Sequence, residues 1–376
     1  MVSVTIVTWN SAQHLNECFA ALERQDHHDL EVIIVDNASD DGTCALLQQV
    51  EMKWRVMYND KNVGFAAGQN QAIRAARGEY VLCLNPDVVL GPDFVSQLVA
   101  AAQSHPEAGS LCGKLLRWGT ASSLPEPAEK QAPRFARDNK DEGRQRVAPN
   151  RTPDPRQTDI IDSTGIYFTR NMRHLDRGAE EVDRGQYERM QYVFGCTGAA
   201  AFFRRSFIED VSVEGEFFDE EFFAFREDGD LAWRAQLMGW KCLYVPTAVA
   251  WHVRRVTPER RKDLPLVINW HSAKNRFLMR GKNASGWLCR RLFFPVLWRD
   301  IMTFGYAAVR DRRLWSAVVY WWKARDSIRR KRKIIQARRR VSDRDLLWWF
   351  SNAPRAIDAS GGEQSALSNQ HSADGA

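Results

Sequence analysis

The sequence predicts an α/β chain: a mostly parallel sheet flanked by helices, followed by a helical, basic region. Three observations carry this. Apolar, β-rich runs recur at intervals of about 25 residues over the first ninety positions. Each pair of runs is separated by a stretch with helical apolar spacing, the signature of βαβ units. Charge then changes sign along the chain, from an acidic body to a basic C-terminal third.

The first run, Val2 to Thr8, is β-branched and reads as a strand. It stops at Trp9-Asn10-Ser11, where Asn10 or Ser11 can cap a helix whose apolar face includes Leu15, Phe19 and Leu22. The second strand is Leu30 to Val35, closed by the polar turn Asp36 to Gly42, with a helix from Thr43 to Val50. Arg55 to Tyr58 is a short third strand. The glycine-bearing loop Asn62 to Asn70 opens a helix running to about Arg77. Tyr80 to Leu84 is a fourth strand, stopped by Asn85-Pro86-Asp87 because Pro86 cannot donate to a ladder. A helix over Gly91 to His105 and a strand within Ala108 to Trp118 complete this half.

Residues 119–158 hold six prolines among many charges and few apolar side chains, the composition of a mobile insertion. Order is expected again from Asp159, through the small-residue segment Gly195 to Ala201 and the phenylalanine-rich acidic stretch Phe217 to Asp230. A helix follows over Leu231 to Met238, then a strand, Lys241 to Val245, closed by Pro246. The expected divisions are thus 1–118, 119–158, 159–255, a basic Trp-rich helical region over 256–350, and a disordered tail over 351–376.

Composition narrows the classes. Seven scattered cysteines have no metal-ligand spacing, which argues for a reducing compartment and against a disulfide framework or zinc site. Met1 leads directly into a strand, arguing against a secretory leader. The motif G-x-G-x-x-G is missing after the first strand, and no P-loop occurs, which disfavours a dinucleotide dehydrogenase and a P-loop NTPase. Residues 1–250 carry 26 Lys and Arg against 37 Asp and Glu, whereas residues 251–350 carry 26 against 7. Such a tail suits a polyanion, and its eight tryptophans from Trp270 to Trp349 suit an anionic membrane surface. The stretch Trp287 to Val309 is broken by charges and Pro295, a poor spanning helix but a fair interfacial one. An ordinary helical core is the other reading of these tryptophans. No nucleic-acid module accompanies the charges.

Two acidic positions bear chemistry. Asp87 follows a strand at the edge where open α/β sheets bind ligands, and suits a divalent ion shared with substrate phosphates; it equally suits a helix cap. Glu227-Asp228-Gly229-Asp230 lies among aromatic side chains that raise carboxylate pKa values, as a general base near neutrality requires. Asp230 can cap a helix and pair with Arg234 one turn on.

Four segments in order, Val4 to Asn10, Val35 to Gly42, Asn62 to Gly68 and Asn85 to Asp87, resemble the inverting glycosyltransferases of family 2, which have the Rossmann-like GT-A fold. Within that family the chain resembles the rhamnosyltransferase branch of bacterial surface polysaccharide synthesis. The resemblance implies that Thr8, Trp9, Asn10, Asp36, Asn62, Gly64 and Asn85 hold the nucleotide, with Asp36 able to accept a base imide N–H. It places Mg2+ or Mn2+ on Asp87 and His252, and the acceptor on Glu227, Gly198 and Arg234. Asp228 is the implied base, and Arg254 and Arg255 the diphosphate contacts. Asn85 departs from the family's Asp-x-Asp pattern, leaving one carboxylate there. The implied donor is dTDP-L-rhamnose, with a UDP-sugar as the alternative. The implied acceptor is a lipid-linked saccharide at the cytoplasmic face of the plasma membrane. A catalytically silent scaffold is the reading from another class.

Overall fold

The computed structural model describes residues 1–119, 154, 156–254, 266–309 and 315–359. Its N-terminal half alternates β1 (Val2–Thr8), α1 (Ala12–Glu23), β2 (Leu30–Asp36), α2 (Thr43–Gln48), β3 (Arg55–Tyr58), α3 (Phe65–Ala75), β4 (Tyr80–Leu84), β5 (Val88–Leu90), α4 (Phe94–Ser104) and β6 (Ala108–Trp118). The second half holds β7 (Gln157–Ser163), β8 (Ile166–Phe168), β9 (His174–Asp176), β10 (Gln191–Val193), β11 (Ala200–Arg204), α5 (Arg205–Val211), α6 (Glu227–Leu237) and β12 (Lys241–His252). Six helices follow: α7 (Leu266–Asn283), α8 (Gly286–Arg291), α9 (Phe293–Val309), α10 (Trp315–Lys323), α11 (Arg325–Ala337) and α12 (Asp343–Trp349). A two-residue strand, β13 (Ile357–Asp358), ends the described chain.

One eleven-stranded sheet runs β13-β10-β12-β6-β11-β4-β1-β2-β3, with β5 beside β12 and β7 beside β6. The expected parallel block is there: β3, β2, β1 and β4 are parallel neighbours. Beyond β4 the sheet is mixed, because β11 runs antiparallel to both β4 and β6. Alternation along β1 explains the two cores. Val2, Val4 and Ile6 pack with Leu15 of α1 and Phe94 of α4 on one face. Val7 joins Ala66 and Ile73 of α3 and Leu231 of α6 on the other. A third core, with Phe168, Trp233, Leu278, Ile328 and Phe350, welds the helical third to the sheet.

Several boundaries differ from expectation. The helix expected at Leu231 begins at Glu227, so Glu227 and Asp228 lie in its first turn. β12 does not stop at Pro246; it absorbs the proline in an irregularity between Val245 and Val249 and continues to His252. Residues 351–359, expected within a disordered tail, return to the sheet edge, where Ile357 pairs with Tyr192. Most of the expected mobile insertion, and Arg255, fall outside the described residues; Gln157 and Thr158 already belong to β7.

The basic segments are corrected most. Lys331, expected to face lipid, is buried and bonds Glu216 and Asp219. Arg330 pairs with Glu214, Arg332 donates to the carbonyls of Gly281 and Ala284, and Arg340 pairs with Asp210. These cations hold the helices to the acidic body. The tryptophans divide: Trp321 and Trp349 pack against the third core, whereas Trp298, Trp315 and Trp322 are exposed.

Candidate active site

The carboxyl ends of β1, β2 and β4 lie side by side, as the registers Thr8 to Asp36 and Ile6 to Leu84 require. Asn10 adopts a left-handed backbone (φ 51°), turning the chain sharply after β1. Its amide donates to Ser39 Oγ, and its side-chain oxygen accepts from the Asp40 N–H. Trp9 is 56% exposed beside it. Thr8 and Asp36 are buried against each other: Asp36 Oδ1 accepts from the hydroxyls of Thr8 at 2.7 Å and Ser39 at 2.6 Å, and Oδ2 from the Ser39 N–H. Both side chains, expected at the base, thus lie beneath the turn. The carboxylate orders the turn, and Trp9 and Asn10 present the accessible surface.

Asn62 accepts from the Gly64 N–H, and Gly64 opens α3 at φ 91°. A β-carbon on Gly64 would lie 2.6 Å from the Phe223 carbonyl, so only glycine allows this approach. The contact brings the donor-side loop against the segment leading to Glu227.

Asp87 sits between β4 and β5. Because β5 pairs with β12, His252 faces Val88 across the ladder, and its Nε2 lies 3.4 Å from Asp87 Oδ1. The Val253 N–H also donates to the Asp87 carbonyl. His252 Nδ1 is bonded to Asp162 at 2.8 Å, which fixes the ring. Burial disfavours the imidazolium, but Asp87 and Asp162 outweigh it and hold the His252 pKa at about 10. One carboxylate and one oriented imidazole, once the ring yields its Nε2 proton to an incoming cation, fit a divalent ion that takes its remaining ligands from a substrate diphosphate. Among the described residues no group of three or more such ligands gathers.

Arg254 was expected to face the diphosphate; instead its guanidinium bridges Asp162 at 3.0 Å and Asp176 at 2.5 Å. The bridge links the His252 side to β9, whose His174 lies 3.8 Å from Asp228. Asp162, His174 and Asp176 were missed in the sequence, where they are isolated polar positions with no motif around them. Burial, with help from the Arg226 charge, pulls the His174 pKa down to about 3, so a neutral ring faces the Asp228 carboxylate.

Asp228 is held from two sides. The Gly198 N–H donates to Oδ2 at 3.2 Å and the Gly229 N–H to Oδ1 at 2.6 Å. Gly198 adjoins Ala199, whose carbonyl accepts from the Asn85 N–H at 2.8 Å. The base candidate therefore stands one short backbone path from the strand end that carries Asp87. Gly195 acts differently: its missing β-carbon lets Ala232 pack there. A small apolar cavity lined by Cys196, Phe203, Phe207, Phe218 and Leu231 lies behind Asp228. This burial raises the Asp228 pKa despite the two N–H donors. Burial and the Asp228 charge push Glu227 up to about 8, and its buried Oε2 has no hydrogen-bond partner among the described residues.

The segment entering α6 is strained. Phe223, Phe225 and Arg226 all have positive φ, each costing on the order of 1–3 kcal/mol unless its surroundings enforce it. The helical third supplies that enforcement. Asn275 of α7 donates to the carbonyls of Phe222, Ala224 and Phe225, Lys274 to that of Glu221, and Arg226 reaches the Ser272 carbonyl. Arg234 does not meet an acceptor. It is buried, pairs with Asp230 at 3.1 Å and donates to the carbonyls of Val211 and Phe217.

A sheet carrying an aspartate at its parallel strand ends, with a raised carboxylate across a narrow backbone path, defines a GT-A-type glycosyltransferase. Residues 3–153 match the sequence profile of Glycosyl transferase family 2. It is 26% identical to the N-acetylglucosaminyl-diphospho-decaprenol L-rhamnosyltransferase of Mycobacterium tuberculosis over 353 residues, covering 90% of this chain and 99% of that one. It is 34% identical to an N-acetylglucosaminyltransferase of Bradyrhizobium elkanii over 107 residues, 27% of this chain and 58% of that one. The fold matches the crystal structure of S. aureus TarS 1-349 in complex with UDP-GlcNAc with a TM-score of 0.51 and 14% identity, over 89% of each chain.

Proposed function

We propose that the chain transfers L-rhamnose from dTDP-L-rhamnose to a hydroxyl of a lipid-linked saccharide, in surface polysaccharide synthesis at the cytoplasmic face of the plasma membrane. The observation that carries the reaction is Asp228: a carboxylate of raised proton affinity, aimed by Gly198 and Gly229, beside the strand end that bears Asp87. Similarity to the mycobacterial rhamnosyltransferase along nearly its whole length supports the donor and acceptor.

Asp228 takes the proton of the acceptor hydroxyl as its oxygen bonds the anomeric carbon. The bond from that carbon to the diphosphate oxygen breaks, the nucleoside diphosphate leaves, and the configuration inverts. Asp87 and His252 would hold Mg2+ or Mn2+, which when bound neutralises charge on the diphosphate. Trp9 and Asn10 contact the base, and Glu227, neutral at physiological pH, hydrogen-bonds the acceptor beside Asp228.

The test is a donor panel of dTDP-rhamnose, UDP-galactofuranose, UDP-glucose and UDP-N-acetylglucosamine, with N-acetylglucosaminyl-diphospho-polyprenol as acceptor and mass-spectrometric readout. Rhamnosyl product is expected only with dTDP-rhamnose. Product from a UDP-sugar alone overturns the donor assignment, and no product from any donor overturns the acceptor.

A further inference from the structure

The helical third exposes apolar surface that nothing in the described chain covers. On α9, Phe293, Phe294, Leu297, Trp298, Ile301, Met302 and Gly305 are all exposed, at spacings i, i+1, i+4, i+5, i+8, i+9 and i+12. That is a stripe spanning about half the helix circumference, wider than a core-facing helix leaves outside. Phe294 is 80% exposed and Trp298 67%. On α10, Trp315, Val319 and Trp322 repeat the pattern at i, i+4 and i+7, and Trp315 stacks on Phe304 of α9. Isolated exposed apolar side chains are ordinary, but nine on two adjoining helices are not.

The charges around these stripes are mainly basic, with the exposed Asp326 between Arg325 and Arg329 the exception. Arg290 and Arg291 are exposed where α9 begins, and Lys323, Arg325 and Arg329 where α10 passes into α11. The acid on α9, Asp300, turns inward to Arg280 at 2.9 Å and to Arg276. Aromatic side chains ringed by cations match the boundary between acyl chains and anionic headgroups. No helix of the described residues is long and apolar enough to cross a membrane, so contact is lateral. The opposite face of α9 ties to α7 through Phe304 on Phe277 and Asp300 on Arg280. Helix α7 in turn holds the segment that aims Asp228.

We infer that the exposed face of α9, extended by α10, lies in the surface of an anionic bilayer, and that insertion of Phe294 and Trp298, not the Arg329 to Lys333 cluster, provides the attachment. Three of the five cations of that cluster are engaged by the protein itself: Lys331 by Asp219, Arg332 by the Ala284 carbonyl and the exposed Arg330 by Glu214. This deepens the lipid-linked-acceptor reading, and its test needs no turnover.

The full chain is co-sedimented with vesicles of phosphatidylglycerol and phosphatidylcholine, and of phosphatidylcholine alone. The wild type is expected to pellet with the mixed vesicles and to keep much of that binding as salt is raised. The double variant Phe294→Ser/Trp298→Ser should bind roughly tenfold or more weakly, with donor hydrolysis unchanged. The double variant Arg329→Gln/Lys333→Gln should lose less than about threefold. Three results overturn the inference: no vesicle binding by the wild type, equal binding by the Phe294/Trp298 variant, or a dimer that this variant converts to monomer, which assigns the face to a second copy. Failure of vesicle binding with intact transfer is thereby separate from failure of transfer.

Discussion

Four of the six acids between Asp219 and Asp230 divide into two pairs with opposite electrostatics. Asp219 and Asp230 are buried with Lys282, which bonds both, while Lys331 bonds Asp219 and Arg234 and Asn283 bond Asp230. Burial disfavours the Asp219 anion, but the two lysines outweigh it and hold its carboxyl well below the usual range. Glu227 is also buried and Asp228 largely so, at 18% exposed, yet no lysine or arginine bonds their carboxylates among the described residues, and both are raised. Seclusion is shared; the cations differ. Where cations arrive, the carboxylates form a joint between domains; where they are withheld, a proton acceptor remains.

That comparison can be broken at each member. The largest effect is expected from Asp228→Asn, which keeps the shape but removes the acceptor: transfer should fall by about 10² to 10⁴, with an unchanged thermal midpoint. Retained turnover in that variant would end the assignment of the base. Next is Lys282→Met, which leaves Asp219 and Asp230 without their shared cation. A destabilisation of about 3–5 kcal/mol is expected for breaking a buried pair, read as a lower urea midpoint. A change within about 0.5 kcal/mol would show that the joint carries no load.

Glu227 sharpens the contrast through pH. Its pKa rises from the ordinary 4.5 to about 8 on folding. The folded state therefore keeps a proton that the unfolded chain releases, so stability falls as pH climbs through that window. In Glu227→Gln this decline should flatten between roughly pH 5 and 8, measured by denaturant midpoints; an undiminished slope would assign it elsewhere. The smallest effect is expected from Arg330→Gln, whose partner Glu214 lies at the surface. Here no resolvable shift of the urea midpoint is expected, and a loss as large as that of Lys282→Met would erase the distinction between exposed and buried cations.

The N-terminal half was the more legible. Strands β1, β3 and β4 and the long β6 lie where β-branched and apolar runs placed them, and β1 and β4 are buried along their whole length because the parallel block covers both their faces. The acidic centre was legible too, since Glu227 and Asp228 stand beside aromatic side chains in the sequence itself. What failed is what depends on distant partners. Lys331 reads as surface charge until Asp219, 112 positions earlier, is placed beside it. Arg254 reads as a phosphate ligand until Asp162 and Asp176 close on it. His174 has no local signal, because its neighbour Asp228 comes from a different element. Pro246 misled because a bulge can carry a proline through a strand.

Asn275 belongs to a helix far downstream of the region that matches the family profile, yet its amide fastens the twisted segment that leads to Asp228, the proposed base. A hybrid enzyme assembled by joining one relative's first half to another's C-terminal helices would therefore inherit its reactive geometry from the helices. Donor choice and turnover become separable properties, exchanged at different seams of the same polypeptide.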